Sequence, residues 1–491
     1  CGKIVGELSE ADVNQISDTI PKHFGIVAKL DDAYEESETF RQHVDKYPKV
    51  FSIAKKLQGL NKNTGVHPSG ISISYFDLDG IMPLQTTTEG ALISSYDMDD
   101  VSSLSVKFDI LGLRTLSVVY DVCKQIGIEA SEIDPHDPSI YAALACLRSP
   151  QGLFQIEADT NFKVCQLVAP RNLEQLSAVV AIARPGALDF KDRYAEYVRS
   201  GESQSVHEFF DDILSYTGGI PLYQEQLMKM VVKVGFSLDE AEQLRRIVGK
   251  KKVDQMPAWK AKIEEKIELN KLDPAIGDVL WDVAEDSANY SFNKSHSISY
   301  AHLAASTVYL KFNYPQEFFL SLLKYTKYEP NAHEEIAKIT QELGNFDIKL
   351  LPPDLNKSDI DFKTEGNDIR YGLNSIKGVS TKALEALLEF REDSFDNKYE
   401  VFLSAKQAGL NIGTLSALIQ AGLLDSFISS NRCRLALEAQ TFNILTDREK
   451  RNLIALGLKY DYDIITAVHS TWKEEMVGDD NRKIFTEKRF G

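Results

Sequence analysis

From residue 121 to residue 345 the sequence runs in helical periods, broken at turn-rich strings: "DPHDPS", "ARPGALDF", "TGGIPL", "VGKKK" and "FNYP". Apolar residues recurring at helical spacing over so long a tract commit most of the chain to packed helices. Strand-like alternation is confined to short stretches. "SGISISY" (69–75) alternates, "LSVKFDIL" (104–111) reads as a second strand, and "DLDGIMPL" between them reads as turn and loop. "GLRTLSVVYDVCKQIG" (112–127) then predicts a helix ending at Gly127. Residues 1–45 show short helical periods, and "IKLLPPDLNKSDIDF" (348–362) is extended. After it, "IRYGLNSIKGVSTKALEALLEF" predicts a short element, a hairpin and a helix, and "LNIGTLSALIQAGLLDSF" a second small helical unit. The expected fold class is α+β, mostly helical.

At 491 residues the chain is too long for one small core, and two to four domains are expected. No apolar run is long enough to span a bilayer and the start has no signal-peptide layout, so a cytoplasmic protein without membrane partners is expected. Cys1, Cys123, Cys146, Cys165 and Cys433 form no CxxC, which argues against structural zinc and a disulfide framework. A start at Cys1 is read as a processed, spliced or cut chain. The net charge of −18 means that any nucleic-acid contact must rest on local basic patches.

The strongest basic patch is "SLDEAEQLRRIVGKKK" (237–252). Ser237 and Glu240 fit a capping box, Ala241, Leu244 and Val248 mark one apolar face, and Gly249 suits the helix exit. Arg245, Arg246, Lys250, Lys251 and Lys252 then follow with no acid among them, an arrangement suited to an anion. A solvated helix end explains the run as well. "YSFNKSHSISYAHLAAS" groups Asn293, Lys294, Ser295 and His296 at a helix start, which suits phosphate oxygens or a plain helix cap. His67 and Gly70 precede a strand, Arg184 precedes a Pro-Gly turn, and Tyr223 heads a helix. Each of these has a structural explanation. Lys377 and Gly378 mark a tight hairpin whose amides suit sequence-blind contact with a DNA phosphate, or a plain helix–turn–helix. Asp109 lies inside an apolar run near the end of a strand, a costly place for an unpartnered carboxylate. Asp359 and Asp361, in "SDIDF", would share one face of a strand and could hold a metal, as in a metal-dependent nuclease; an exposed edge strand explains them as well.

Taken in order, "GVHPSGISIS", "VKFDILGLRTL", "LFQIEA", "ARPGAL", "YQEQLMKM", "LRRIVGKKK", "YSFNKSHSISYA" and "LPPDLN" resemble the alpha subunit of bacterial replicative DNA polymerase III, the C family. The resemblance covers roughly residues 46–430. It implies the end of a thumb over 1–45 and the carboxy-terminal part of a nucleotidyltransferase β-type palm over 46–120. Large helical fingers would occupy 121–345, a tandem helix–hairpin–helix region 346–430, and an uncharacterised segment 431–491. Asp109 would be the third of three catalytic aspartates, buried beside two Mg²⁺ ions. Arg245 and Arg246 would grip the incoming triphosphate, with Lys107 and Arg184 also at the nucleotide. Lys250, Lys251, Lys252, Asn293, Lys294, Ser295, His296, Lys377 and Gly378 would face DNA.

The other two aspartates belong to a "PDxDxDF" motif that this sequence does not contain; "SDIDF" lies beyond the fingers and does not replace it. The resemblance thus implies a carboxy-terminal or internal part, lacking the amino-terminal domain and the first half of the palm. It would share its metal ligands with a second, amino-terminal polypeptide. The expected function is part of a DNA-directed DNA polymerase acting on primer-template DNA and dNTPs by two-metal nucleotidyl transfer. The alternative is a non-catalytic DNA-binding scaffold on the same fold. "QTFNIL" (440–445) resembles a sliding-clamp peptide only faintly.

Overall fold

The computed structural model describes residues 1–23, 26–60, 65–184, 186–249, 256–379, 381–390, 397–426, 428, 430–457 and 464–465. It divides into two compact units, Cys1–Gly112 and Leu113–Gly491. Helices dominate and the sheets are small, so the fold is α+β and mostly helical. No described helix is long and apolar enough to cross a membrane.

In the first unit, helices Leu30–Glu36, Glu38–Lys46 and Pro48–Leu57 pack on a small core of Ala33, Phe40 and Val44. Two strands follow, β1 (Gly70–Ile73) and β2 (Val106–Asp109), paired antiparallel with Gly70 opposite Asp109. Among the described residues the sheet has two strands, and Ile71, Ile73, Val106 and Phe108 are about half exposed.

The second unit opens with α1 (Arg114–Ile126), which ends at left-handed Gly127 as its sequence predicts. Its buried face, Val118, Val119 and Val122, meets Phe318, Phe319 and Leu323. Helix α2 (Leu173–Ile182) is apolar almost all round, and from Leu176 to its end every residue is buried. Four more helices carry the site or brace it: α3 (Gln224–Val234), α4 (Leu238–Gly249), α5 (Lys294–Asn313) and α6 (Ala332–Leu343). Ala301, Ala304 and Ala305 of α5 lie in one core with Ala178 and Ala181 of α2, where small side chains let two backbones approach. Helix α4 buries Ala241, Leu244 and Val248, and the Ser237–Glu240 capping box is formed, with Ser237 N–H donating to Glu240 Oε2 at 2.8 Å.

Beyond α6 a three-stranded sheet has β3 (Leu350–Leu351) parallel to β5 (Asp368–Arg370), which pairs antiparallel with β4 (Lys363–Glu365). Arg370 is buried and its fork closes on Glu365. After the turn at Gly378 comes α7 (Thr381–Phe390). Helices α8 (Lys398–Gln407) and α9 (Ile412–Ala421) enclose a second hairpin at Gly409. Their core includes Leu387, Phe402, Leu415 and Leu418, and continues into α10 (Arg432–Ile444) through Leu435, Ala439 and Phe442 and on to Leu453.

Candidate functional site

Asp109 ends β2 and shares a sheet face with Lys107, two residues earlier. Lys107 Nζ stands 3.0 Å from Asp109 Oδ1, and the Asp109 side chain is 52% exposed. The expectation of a buried carboxylate is therefore corrected. Phe108, Ile110 and Leu111 around it are themselves uncovered, so the apolar run does not become an interior and the carboxylate stays solvated. Gly70, opposite it, is needed for space: a Cβ there would fall 2.6 Å from Lys107 Cε and 2.8 Å from His67 Nδ1. His67 Nδ1 accepts the Gly70 N–H at 2.6 Å, which makes His67 a turn cap.

A carboxylate oxygen is the ligand type that Mg²⁺ takes. Among the described residues, however, no group of three or more His, Cys, Asp or Glu gathers closely enough to hold a metal ion. Asp109 thus offers one ligand, shared with an ammonium, and does not by itself fit a two-ion site. Asp359 and Asp361 do not fit either. Neither lies on a strand: Asp361 is in a bend and Asp359 in irregular backbone just before it, and Asp361 faces Lys327 Nζ at 3.3 Å and accepts from Asn374 Nδ2. An ion pair has already taken the carboxylate that the nuclease reading needs.

The second unit brings distant stretches of sequence together. Gln224 N–H donates to Phe292 O at 2.9 Å and Phe292 N–H to Leu222 O at 3.0 Å, so the head of α3 lies beside the start of α5. Asn293 caps α5 by accepting His296 N–H at 2.8 Å. Glu225 receives the Lys294 N–H at 3.0–3.1 Å and Asn293 Nδ2 at 3.0 Å, and so sits where the first amides of α5 point. The Lys294 ammonium pairs with Glu174 at 3.0 Å and lies near the rings of Tyr216 and Tyr223. Beneath this surface the buried hydroxyls of Ser177 and Ser297 meet at 2.8 Å, with Tyr223 Oη 3.3 Å from Ser177 Oγ, tying α2, α3 and α5 together. Ser295 Oγ turns back onto Asn293 Oδ1 at 2.6 Å.

On α4, Glu242 accepts Arg245 Nε and Nη2, both at 2.6 Å, and Arg246 Nε at 2.7 Å. Arg245 Nη1 also reaches Gln224 Oε1 at 3.1 Å, which connects α4 to the head of α3. Hydrogen bonds from Arg245 and then Arg246 hold the Glu242 carboxyl down to about 2. The Arg184 guanidinium carbon lies over the Phe292 ring, 3.7 Å from its centroid, a cation–π contact worth about 0.5–2 kcal/mol. The His296 ring meets Phe292 edge-on, with centroids 5.5 Å apart, and lies tilted against Tyr300 at 4.0 Å. Partial burial, and after it the Arg184 charge, lowers the His296 pKa below its ordinary value.

Arg184, Arg245, Arg246, Asn293, Lys294 and His296 are thus linked into one cluster through Phe292, Gln224, Glu225 and Glu242. Lys107 and Asp109 pair with each other on the first unit. Lys250, Lys251 and Lys252 lie outside the described residues. Lys377 and Gly378 are exposed in a turn closed by Val379 N–H to Ile376 O at 3.2 Å, with Gly378 at φ +90°. "QTFNIL" does not present a clamp peptide: it falls at the end of α10, and Phe442 is buried in the core. Sequence reasoning passed over Glu225 and Glu242. Glu242 was legible from its i,i+3 and i,i+4 spacing to the two arginines; Glu225 was not, since its partners lie nearly seventy residues away.

Residues 347–435 match the family model of the "Helix-hairpin-helix motif". Residues 113–271 match the "Bacterial DNA polymerase III alpha subunit finger domain" and residues 2–112 the "Bacterial DNA polymerase III alpha NTPase domain". These two models meet where the structure divides, after Gly112. Similar proteins include the DNA polymerase III subunit alpha of Thermus aquaticus, 32% identical over 86% of this chain and 36% of the relative. That of Campylobacter jejuni is 34% identical over 86% and 37%, and that of Bacillus subtilis 30% identical over 88% and 39%. The chain spans little more than a third of the length of these relatives. The chain belongs to the family of bacterial DNA polymerase III alpha subunits, of which it carries a part.

Proposed function

We propose that this chain is part of a replicative DNA-directed DNA polymerase and that its α3–α4–α5 cluster receives the triphosphate of an incoming dNTP. One observation carries the reading. Arginines, a lysine, a capping asparagine and a histidine from three separate stretches converge where the amides of α5 point outward. Guanidinium forks and helix-start amides are the donors that phosphate oxygens take. Arg245 and Arg246 would bind and orient the phosphates, Lys294 would add a point charge, and His296 and Tyr300 would border them. Lys377 and the Gly378 turn, with the second hairpin between α8 and α9, would hold duplex DNA by its backbone without reading sequence.

Asp109 is proposed as one catalytic carboxylate of a Mg²⁺ site. The remaining ligands would come from an amino-terminal polypeptide carrying "PDxDxDF". When bound, the ions would activate the primer 3′-hydroxyl and neutralise the departing pyrophosphate. The uncovered apolar residues of the β1–β2 sheet, and its strand edges, unpaired among the described residues, support a docking polypeptide there. The alternative, a non-catalytic DNA-binding scaffold, is favoured by one observation: Asp109 is already neutralised by Lys107. Mixing the chain with the amino-terminal polypeptide and measuring Mg²⁺-dependent primer extension separates the two. The catalytic reading expects extension only in the mixture, lost in Asp109→Ala. Extension that survives Asp109→Ala refutes the role of Asp109, and a mixture that binds DNA without extending it favours the scaffold.

A further inference from the structure

The donors of the α3–α4–α5 cluster are already engaged from within the chain. Glu242 takes Nε and Nη2 of Arg245 and Nε of Arg246. Glu225 takes the first amide of α5 through both of its oxygens, and Asn293 Nδ2 through one. Each carboxylate thus occupies the kind of position a phosphate group would use, a guanidinium fork in one case and a helix start in the other. Neither is sealed in: the Glu242 side chain is 32% exposed and Glu225 is half-buried, so solvent can reach both pairs.

We propose that Glu242 and Glu225 are resident counter-ions that stand in for two phosphates and are displaced by an incoming polyphosphate, so that they set the affinity and charge selectivity of the site. The inference rests on the triphosphate reading above and adds what regulates it. Helical ion pairs at i,i+3 and i,i+4 are weak, so the exchange is easy for a ligand of high charge. A singly charged anion offers no more than the carboxylate it must replace and is rejected. Until exchange occurs, Glu242 keeps the Arg245 fork ordered, which lowers the entropy that binding must otherwise spend.

The test is calorimetric titration of the full chain with inorganic tripolyphosphate at fixed ionic strength. Glu242→Gln and Glu225→Gln are each expected to tighten binding about three- to tenfold. Glu264→Gln removes the same charge from an exposed site on the helix Met256–Leu269 and is expected to leave the Kd within about twofold. Arg245→Ala/Arg246→Ala is expected to abolish binding. If that double variant loses binding while both glutamine variants bind as the parent does or more weakly, the counter-ion proposal is overturned and the triphosphate reading stands. If the double variant binds as well as the parent, the triphosphate reading falls and the proposal with it. Thermal unfolding of each variant is compared first; should Glu242→Gln be destabilised, Glu225→Gln decides the question on the same criteria.

Discussion

Lys311 is the most informative position for stability. It lies in the last turns of α5 with its side chain fully buried, and its ammonium pairs with Glu342 of α6, itself 4% exposed. The same nitrogen donates to Ser149 O at 3.2 Å and Gln151 O at 2.8 Å, and Glu342 Oε2 accepts Gln151 N–H at 3.0 Å. The pair therefore pins the 149–152 loop between two helices. Lys311→Met would leave a buried carboxylate without its cation and remove the donor of two carbonyls. Breaking such a pair costs about 3–5 kcal/mol, and the stranded carbonyls, at about 1 kcal/mol each, push the loss toward the upper end. Lys311→Met/Glu342→Leu should recover only the part due to the stranded charge, since a buried pair exchanged for apolar side chains is often neutral, while the Ser149 and Gln151 carbonyls and the Gln151 amide stay unpaired at about 1 kcal/mol each. Urea unfolding of the full chain followed by circular dichroism reads both. Lys311 is seventeen residues from Lys294, about 25 Å along the helix, so tripolyphosphate affinity of the folded variant should stay within about twofold. A loss below about 1 kcal/mol for Lys311→Met would refute the claim that the pair is desolvated and structural.

Four further outcomes follow from the geometry. Glu242 should titrate near 2 in the folded chain, so its ion pairs contribute fully above the ordinary carboxylate value of 4.5 and fade as pH falls from 4.5 toward 2. Carbon-detected NMR of the side-chain carboxyl should show that midpoint and its rise in Arg245→Ala/Arg246→Ala; a parent midpoint near 4.5 would contradict the bonding described. His296 should titrate below 6.5, and Arg184→Gln should move it upward without fully restoring it, because burial is the larger cause. No upward movement in a histidine NMR titration would separate Arg184 from His296. Gly378→Ala should cost about 1–2 kcal/mol, since φ +90° is unfavourable for an L side chain, and the new Cβ would also sit 3.4 Å from Ala417 Cβ. Chemical unfolding measures the cost, and duplex binding by Lys377→Ala should weaken to a similar degree for unrelated DNA sequences.

Local order was legible in the residues alone. The helix from Arg114 to its Gly127 stop, the Ser237–Glu240 box, the buried stripe of Ala241, Leu244 and Val248, the β1 and β2 stretches and the hairpin at Gly378 all appear where their patterns place them. Each depends on neighbours a few residues away, so short-range sterics, capping and periodicity suffice. What long-range packing decided is of another kind. Whether Asp109 is interior depends on what covers its strand, and the apolar string around it could not say that its neighbours stay exposed. The fate of Asp361 turned on a lysine on another element, and that of Phe442 on the helices packed over it. That Glu225 caps a helix beginning at Lys294, that Arg184 lies on Phe292, and that Lys311 is buried against Glu342 are contacts made only when distant segments meet. Charge and burial are properties of surroundings in three dimensions, and a linear pattern carries only the surroundings a chain makes with itself over one or two turns.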